Sequence, residues 1–203
     1  MAEMVRKAST EEIINHWMLA ISCILLIITG YAFLFKLTQI GSVFGGFNGM
    51  RVVHNWAGVV FTVSLFATLF NYLHESLTFD ADDWAWIRMG GGYLSRSAKK
   101  APPMGKLNTG QKFYYLAIMA AGIAIAASGF GIWLVSGSRM ITLVSHLVHN
   151  LAFILFVVAI PAHAYLGTLA NPGTFRIMVY GTVPIEFARK KYPKWMKEIG
   201  KMK

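Results

Sequence analysis

His149 and His163 stand fourteen residues apart in one apolar stretch of the chain. An α-helix rises about 1.5 Å and turns about 100° per residue, so a single helix would hold these imidazoles about 21 Å apart and within about 40° of one face. His16 and His54 each lie near one end of another apolar stretch. With the stretches running as alternating helices, His54 falls at the depth of His149 and His16 at the depth of His163. Iron binds imidazole well, and axial ligands from facing helices of a bundle are a common way to hold a haem. A histidine inside a membrane span is costly unless paired or functional. An inter-helix hydrogen bond is the competing explanation for any one of them, but four that agree in depth two by two point to two metal clamps and an electron wire between the faces of a bilayer.

The elements that must position these ligands follow from composition. The chain has 203 residues, 56% hydrophobic and only 14% charged, whereas a soluble domain carries about 25% charged residues. Crossing a hydrocarbon layer about 30 Å thick takes about 20 residues, and the runs 13–35, 52–73, 113–135 and 145–169 meet that length. The expected fold is an all-α integral membrane protein, a four-transmembrane-helix bundle forming one domain over 1–203, with a loop over 75–111 and a tail over 170–203 on one side. The first run outlasts a secretory h-region and no small-x-small cleavage site follows it, so it reads as a retained span.

The net charge of +10 would suggest nucleic acid in a soluble protein, but its distribution points to the membrane. Two of the 19 Lys and Arg precede the first span, six lie between the second and third, and eight follow Leu169; Lys36, Arg51 and Arg139 are the three on the opposite side. The positive-inside rule then puts both termini, the 75–111 loop and the tail in the cytoplasm. The basic tail suits anionic lipid, and no nucleic-acid partner is expected. Trp84, Trp86 and Tyr93 in the loop have the interfacial character of residues lying along a membrane surface.

Cys23 is the one cysteine and lies mid-span. No C-x-x-C-H motif is present, so any haem is non-covalent, and iron–sulfur chemistry belongs to another chain. Gly30, Gly58, Ser128 and Gly129 remove bulk where a flat macrocycle would press on backbone, although small residues also mediate helix contacts. Arg51, three residues before His54, is placed to meet haem propionates. Trp17 reads as an interfacial anchor, His146 as facing the outer interface. Asn108, Gly110 and Gln111 offer amides and close backbone approach for a quinone carbonyl, with helix capping by Asn108 as the alternative. His74, Glu75, Asp80, Asp82 and Asp83 are candidate proton-entry groups on the same side.

Taken together, Asn15-His16-Trp17, Arg51-Val52-Val53-His54 with Gly58, Asn108-Thr109-Gly110-Gln111-Lys112, the pair His149 and His163, and the ending Lys190-Lys191-Tyr192-Pro193-Lys194-Trp195 resemble the membrane-anchoring cytochrome b (gamma) subunit of respiratory formate dehydrogenases. The resemblance covers nearly the whole chain. It implies two b haems, an outer one on His54 and His149 and an inner one on His16 and His163, with menaquinone or another quinone reduced beside His163, Asn108, Gly110 and Gln111. It also implies an iron–sulfur (beta) subunit, a catalytic (alpha) subunit with a molybdenum or tungsten pterin, and residence in a bacterial inner membrane. Related architectures anchor nickel–iron hydrogenases or sulfur-compound reductases. A haem-free histidine-dependent proton or metal transporter would use the same residues differently.

Overall fold

The computed structural model describes residues 3–92, 102–135 and 137–202. Tyr93, Arg96, Lys99, Lys100 and Ser136, which the sequence assigns to loops, lie outside the described residues. Among the described residues, four helices are long and apolar enough to cross a membrane: α1 (Thr10–Leu34), α3 (Phe47–Leu77), α5 (Thr109–Leu134) and α6 (Arg139–Gly167). Between the first two sits the short helix α2 (Thr38–Val43).

Three of the long helices begin earlier than their apolar runs because polar caps hold the first turn. Ser9 and Glu12 form a reciprocal capping box on α1, Asn108 and Gln111 form one on α5, and the Ser138 side chain caps α6. Such caps satisfy amide groups that the helix itself leaves without acceptors. The spans therefore run past the hydrocarbon window at 10–34, 47–77, 109–134 and 139–167 rather than stopping with the apolar residues.

The bundle is two helix pairs. α1 packs along α3, α5 along α6, and α3 joins the pairs by packing on α5, while α1 and α6 meet only sparsely. Small residues bring the paired backbones together. A methyl group at Gly122 would fall 2.7 Å from Leu65 Cδ1, and one at Gly131 would fall 2.6 Å from Ser145 Oγ. Mid-bundle, Cys23, Phe61, Leu65, Tyr115, Ile118, Met119 and Phe156 make a buried core.

The end of the bundle that carries both termini is more elaborate than a loop and a tail. Residues 81–88 form helix α4 (Ala81–Arg88). Asp83 on it is buried, its carboxylate accepting from Lys112 Nζ at 2.7 Å and from Thr109 Oγ1 at 2.7 Å, which ties α4 to the first turn of α5. The tail folds as α7 (Phe175–Tyr180), β2 (Thr182–Pro184), α8 (Ile185–Lys191) and α9 (Pro193–Glu198). β2 pairs antiparallel with β1 (Met4–Arg6), Val5 opposite Val183. Among the described residues the fold is thus helical apart from this two-stranded sheet, which the all-α expectation did not include. Its cause is local: Gly181, in the left-handed region at φ +71, ends α7 and turns the chain back, and the extended Thr182-Val183-Pro184 then meets the amino-terminal strand.

Val5, Ala8, Ile177, Val183, Ile185, Ala188, Tyr192, Trp195 and Met196 form a second core under this sheet. Trp17, expected as an interfacial anchor, instead donates its indole N–H to the Met178 carbonyl at 2.7 Å and meets Phe175 edge-on. Beneath the sheet, Lys7 Nζ lies 3.2 Å from the Tyr192 ring centre. Burial, with repulsion from Lys106 and Lys191, pulls the Lys7 ammonium from 10.5 down to about 7.

Between those two values the unfolded lysine holds a proton that the folded one has released, so stability must rise with pH across that window. The penalty is full below about 7 and gone above about 10.5. Proteolysis of the 182–202 region, normalised to an unfolded substrate at each pH, should therefore slow between pH 7 and pH 9. Lys7→Met should flatten the dependence. A profile of equal slope in both proteins would remove Lys7 as its source.

Candidate functional site

The helix order brings the four span histidines together as two pairs. His54 on α3 and His149 on α6 have ring centres 6.3 Å apart at the end away from the termini, and His16 on α1 and His163 on α6 have ring centres 6.3 Å apart at the termini end. Phe156, in T-shaped contact with Phe61 at 5.8 Å, lies seven residues from each α6 histidine and fills the space between the pairs.

That separation has a simple chemical reading. A metal–imidazole bond is about 2 Å and the ring nitrogen lies about 1.1 Å from the ring centre, so two imidazoles on opposite sides of one metal have centres about 6.3 Å apart. Both pairs match it.

At the far pair the hydrogen bonds also decide which nitrogen is presented. Thr29, fully buried, donates its hydroxyl proton to the Leu25 carbonyl at 2.7 Å, so toward His54 Nδ1 at 2.6 Å it can accept. His149 Nδ1 lies 3.1 Å from the Ile125 carbonyl, which can only accept, and 3.2 Å from Ser128 Oγ, whose own proton goes to the Ala124 carbonyl at 2.7 Å. Each Nδ1 therefore carries a proton, and each Nε2 keeps its lone pair for a metal. Ser128, read from sequence as a space-making residue, orients His149 as well. Thr29 was missed, because nothing in the span sets it apart from Ser22 and its role appears only in the contact with His54.

A cavity of about 900 Å³ opens on this pair, lined largely by apolar side chains with Arg51, Asn55, His146 and Asn150 among its polar residues. Gly58 faces open space in it, and a methyl group on Gly129 would lie 3.2 Å from His149 Cε1. Both glycines thus keep a slot clear beside the ligands. His146 lines this cavity and does not merely face the interface. Arg51 is exposed, its side chain reaching only Asn48 Oδ1 at 3.4 Å.

The pair at the termini end is less enclosed. His16 Nδ1 is buried without a hydrogen-bond partner, and the Tyr114 ring stacks on His163 at 5.2 Å and 12°. Tyr114 lies one turn beyond Gly110 on α5, so the first turn of that helix and His163 are neighbours through this ring. Within that turn Asn108 Oδ1 accepts from Gln111 N–H at 2.8 Å and Gln111 Oε1 accepts from Asn108 N–H at 2.9 Å. Both amide oxygens are committed to capping. Gly110 backs onto Trp86, where a methyl group would sit 3.4 Å from the indole.

Of the candidate proton-entry groups, Glu75, Asp80, Asp82 and Asp83 line a cavity of about 150 Å³ with Asn108 and Lys112, while His74 is exposed on the end of α3. Asp80 is held down to about 2, chiefly by the hydrogen bond from Lys194. Burial pushes the Asp83 carboxyl up, but hydrogen bonds from Lys112, the Asp80 backbone and Thr109 outweigh it and leave it below its usual range. These two stay ionised at neutral pH and act as structural anions rather than proton carriers.

Residues 9–181 match the prokaryotic cytochrome b561 family. The chain belongs to that family. It is similar to the nitrate-inducible formate dehydrogenase cytochrome b556(Fdn) subunit of Escherichia coli, 27% identical over 92% of this chain and 87% of that protein. The formate dehydrogenase cytochrome b556(fdo) subunit of Escherichia coli is 28% identical over 98% of this chain and 95% of that protein. A formate dehydrogenase cytochrome b556 subunit of Haemophilus influenzae is 23% identical over 91% and 79%. This cytochrome b561-family chain is a multi-pass membrane protein that binds haem b, and the histidine geometry fits that cofactor without any covalent attachment.

Thr29→Val keeps the shape of its side chain but leaves His54 Nδ1–H without an acceptor. It should weaken haem at the His54–His149 pair by about 10- to 100-fold, the usual cost of losing a partner behind a metal ligand. Release of haem to apomyoglobin measures this. Ser128→Ala should cost less, because the Ile125 carbonyl still takes the His149 proton. Unchanged release from Thr29→Val would mean that the hydroxyl does not orient the ligand.

Proposed function

We propose that this protein is the dihaem cytochrome b subunit of a respiratory formate dehydrogenase, carrying electrons from an iron–sulfur partner across the membrane to menaquinone or another quinone. The observation that carries this reading is the equal 6.3 Å spacing of two histidine pairs at opposite ends of one bundle. Similarity to cytochrome b556 subunits of formate dehydrogenases over most of the chain supports the choice of complex. The catalytic subunit, with its molybdenum or tungsten pterin, would be a separate chain on the outer side. The distribution of Lys and Arg supports a cytoplasmic termini end, and similarity to bacterial relatives supports residence in the inner membrane.

A haem held by two imidazoles supplies one reversible electron at its iron, and the residues of this chain set where. His54 and His149 would hold the outer haem and His16 and His163 the inner one. α6 carries a ligand of each and so fixes their separation along a single rigid element. Phe61 and Phe156 keep water out of the space between. Near the inner pair, the side-chain N–H groups of Asn108 and Gln111 have no acceptor among the described residues and could donate to a quinone carbonyl, Gly110 allows close approach of the ring, and His163 lies on the far side of Tyr114.

The first test is haem content. The purified chain should give a b-type spectrum with two haems per chain, and His149→Ala or His163→Ala should each remove one. A chain with no haem, or one that keeps both in His149→Ala, would sink the pairing. Co-purified partners that oxidise formate, rather than hydrogen or a sulfur compound, would fix the complex.

A second test separates quinone binding from helix capping. Gln111→Glu and Asn108→Asp preserve the cap oxygens but delete the amide donors. Quinone reduction should fall by about 1–3 kcal/mol of lost interaction for one buried hydrogen bond, while formate-driven haem reduction stays normal. Full quinone turnover in both variants would move the site away from this turn.

A further inference from the structure

The two histidine pairs share a spacing and differ in what stands behind them. Behind the outer pair stand oxygens: the Thr29 hydroxyl 2.6 Å from His54 Nδ1, and the Ile125 carbonyl 3.1 Å and the Ser128 hydroxyl 3.2 Å from His149 Nδ1. Behind the inner pair stand rings. Trp17 makes a T-shaped contact with His16 at 5.6 Å, and Tyr114 stacks on His163 at 5.2 Å. A ring face is at best a weak hydrogen-bond acceptor. His16 Nδ1 is buried without a hydrogen-bond partner. Among the described residues His163 is flanked by the His16 and Tyr114 rings, and no oxygen accepts from it.

This difference acts on the metal through the ligands. An acceptor on Nδ1–H draws the proton outward, gives the imidazole more imidazolate character and makes Nε2 the stronger donor. A stronger donor stabilises the iron of higher charge, so it favours ferric over ferrous and lowers the potential. The Thr29 contact is built to be strong. Its oxygen receives from Nδ1 while its own proton goes to the Leu25 carbonyl at 2.7 Å, and each bond in such a chain polarises the next. Thr29 is fully buried, where the low dielectric leaves that chain at full strength. Charges oppose the difference from weaker positions. Arg51 at the outer end is exposed and therefore screened. Glu12, one turn before His16, is matched by Lys106 at 3.7 Å and by the Tyr72 hydroxyl.

Resting on the two-haem reading, we propose that Thr29 and the Ile125 carbonyl set the redox order of the wire, holding the iron at His54 and His149 harder to reduce than the iron at His16 and His163. An electron delivered by the iron–sulfur partner then leaves ferrous iron at the outer site and is taken by ferric iron at the inner one, with no proton moved. The step runs downhill toward the quinone side. Thr29 is a positioning residue: it touches no iron and acts through His54.

The experiment is a spectroelectrochemical titration of the full chain carrying haem b, with His149→Ala and His163→Ala assigning each wave to its site. In the unaltered chain the outer haem should titrate below the inner one by at least a tenfold difference in reduced-to-oxidised ratio, about 59 mV for one electron. Thr29→Val should raise the outer potential by a similar amount and leave the inner one in place. Thr29→Ser keeps the hydroxyl and should leave both in place. Ser128→Ala should move the outer haem less, because the Ile125 carbonyl still takes the His149 proton. Equal potentials, or an outer haem above the inner one, would overturn the proposal. So would an unmoved outer haem in Thr29→Val, or the same shift in Thr29→Ser, which would make it an effect of packing. Haem content is read separately, and one haem per chain would defeat the two-haem reading on which the proposal rests.

Discussion

An imidazole can offer one nitrogen to a metal dependably only when its other nitrogen is already settled. At the outer pair the settling groups are backbone and hydroxyl oxygens of helices other than the ligand's own: Thr29 on α1 holds His54 of α3, and the Ile125 carbonyl on α5 holds His149 of α6. The ligand set therefore depends on all four helices being in register at once. The bulk-free positions follow from the same demand, because Gly129 must let α5 come close enough to His149 for the Ile125 carbonyl to reach Nδ1. A side chain there would separate the helices and lose the hydrogen bond with the slot.

Charge divides the molecule as sharply as depth does. Carboxylates are confined to the termini end, where they are spent on structure: Asp83 on Lys112 and Thr109, Asp80 and Asp82 on Lys194, Glu12 on the α1 cap and on Tyr72. These links knit α4, α5, the tail and the amino terminus into one cap over the inner pair. The Lys112–Asp83 contact is nearly buried, so its partners are held by hydrogen bonds as well as charge; removing either alone would leave the other uncompensated. Among the described residues the far end has no such cap, and Arg51 there lines the cavity.

The bundle was legible because its signals are periodic and long. Apolar runs longer than a membrane is thick located the four helices, and rise per residue alone sorted the histidines into the two pairs that the coordinates bring to a common spacing. Thr29 was not legible, because its role depends on contact with a residue 25 positions away. The β1–β2 sheet was missed for a similar reason: two three-residue strands separated by nearly the whole chain leave no local pattern. Asn108-Thr109-Gly110-Gln111 had two chemically sensible readings. The structure engages the amide oxygens in the cap, and the nitrogens remain open to the other role. His146 was read as facing the interface, which did not show that the cavity beside His149 widens to include it.

The sparse contact between α1 and α6 gives the cofactor a role beyond redox chemistry. The inner histidines face each other across this seam, and the outer ones span the bundle from α3 to α6, so in both cases a ligand bound between them joins the α1–α3 pair to the α5–α6 pair. Among the described residues the main direct joint between those pairs is the packing of α3 on α5. Binding that requires both walls stabilises the closed bundle in proportion to its affinity and contributes nothing to an opened one. On the proposed reading, a haem at either pair would close the seam that side-chain packing leaves open, and two such sites, sharing α6, would be coupled through the same closure. The sparseness of the α1–α6 contact suits the proposed site: a fully packed interface would hold the bundle together and leave no room for a macrocycle.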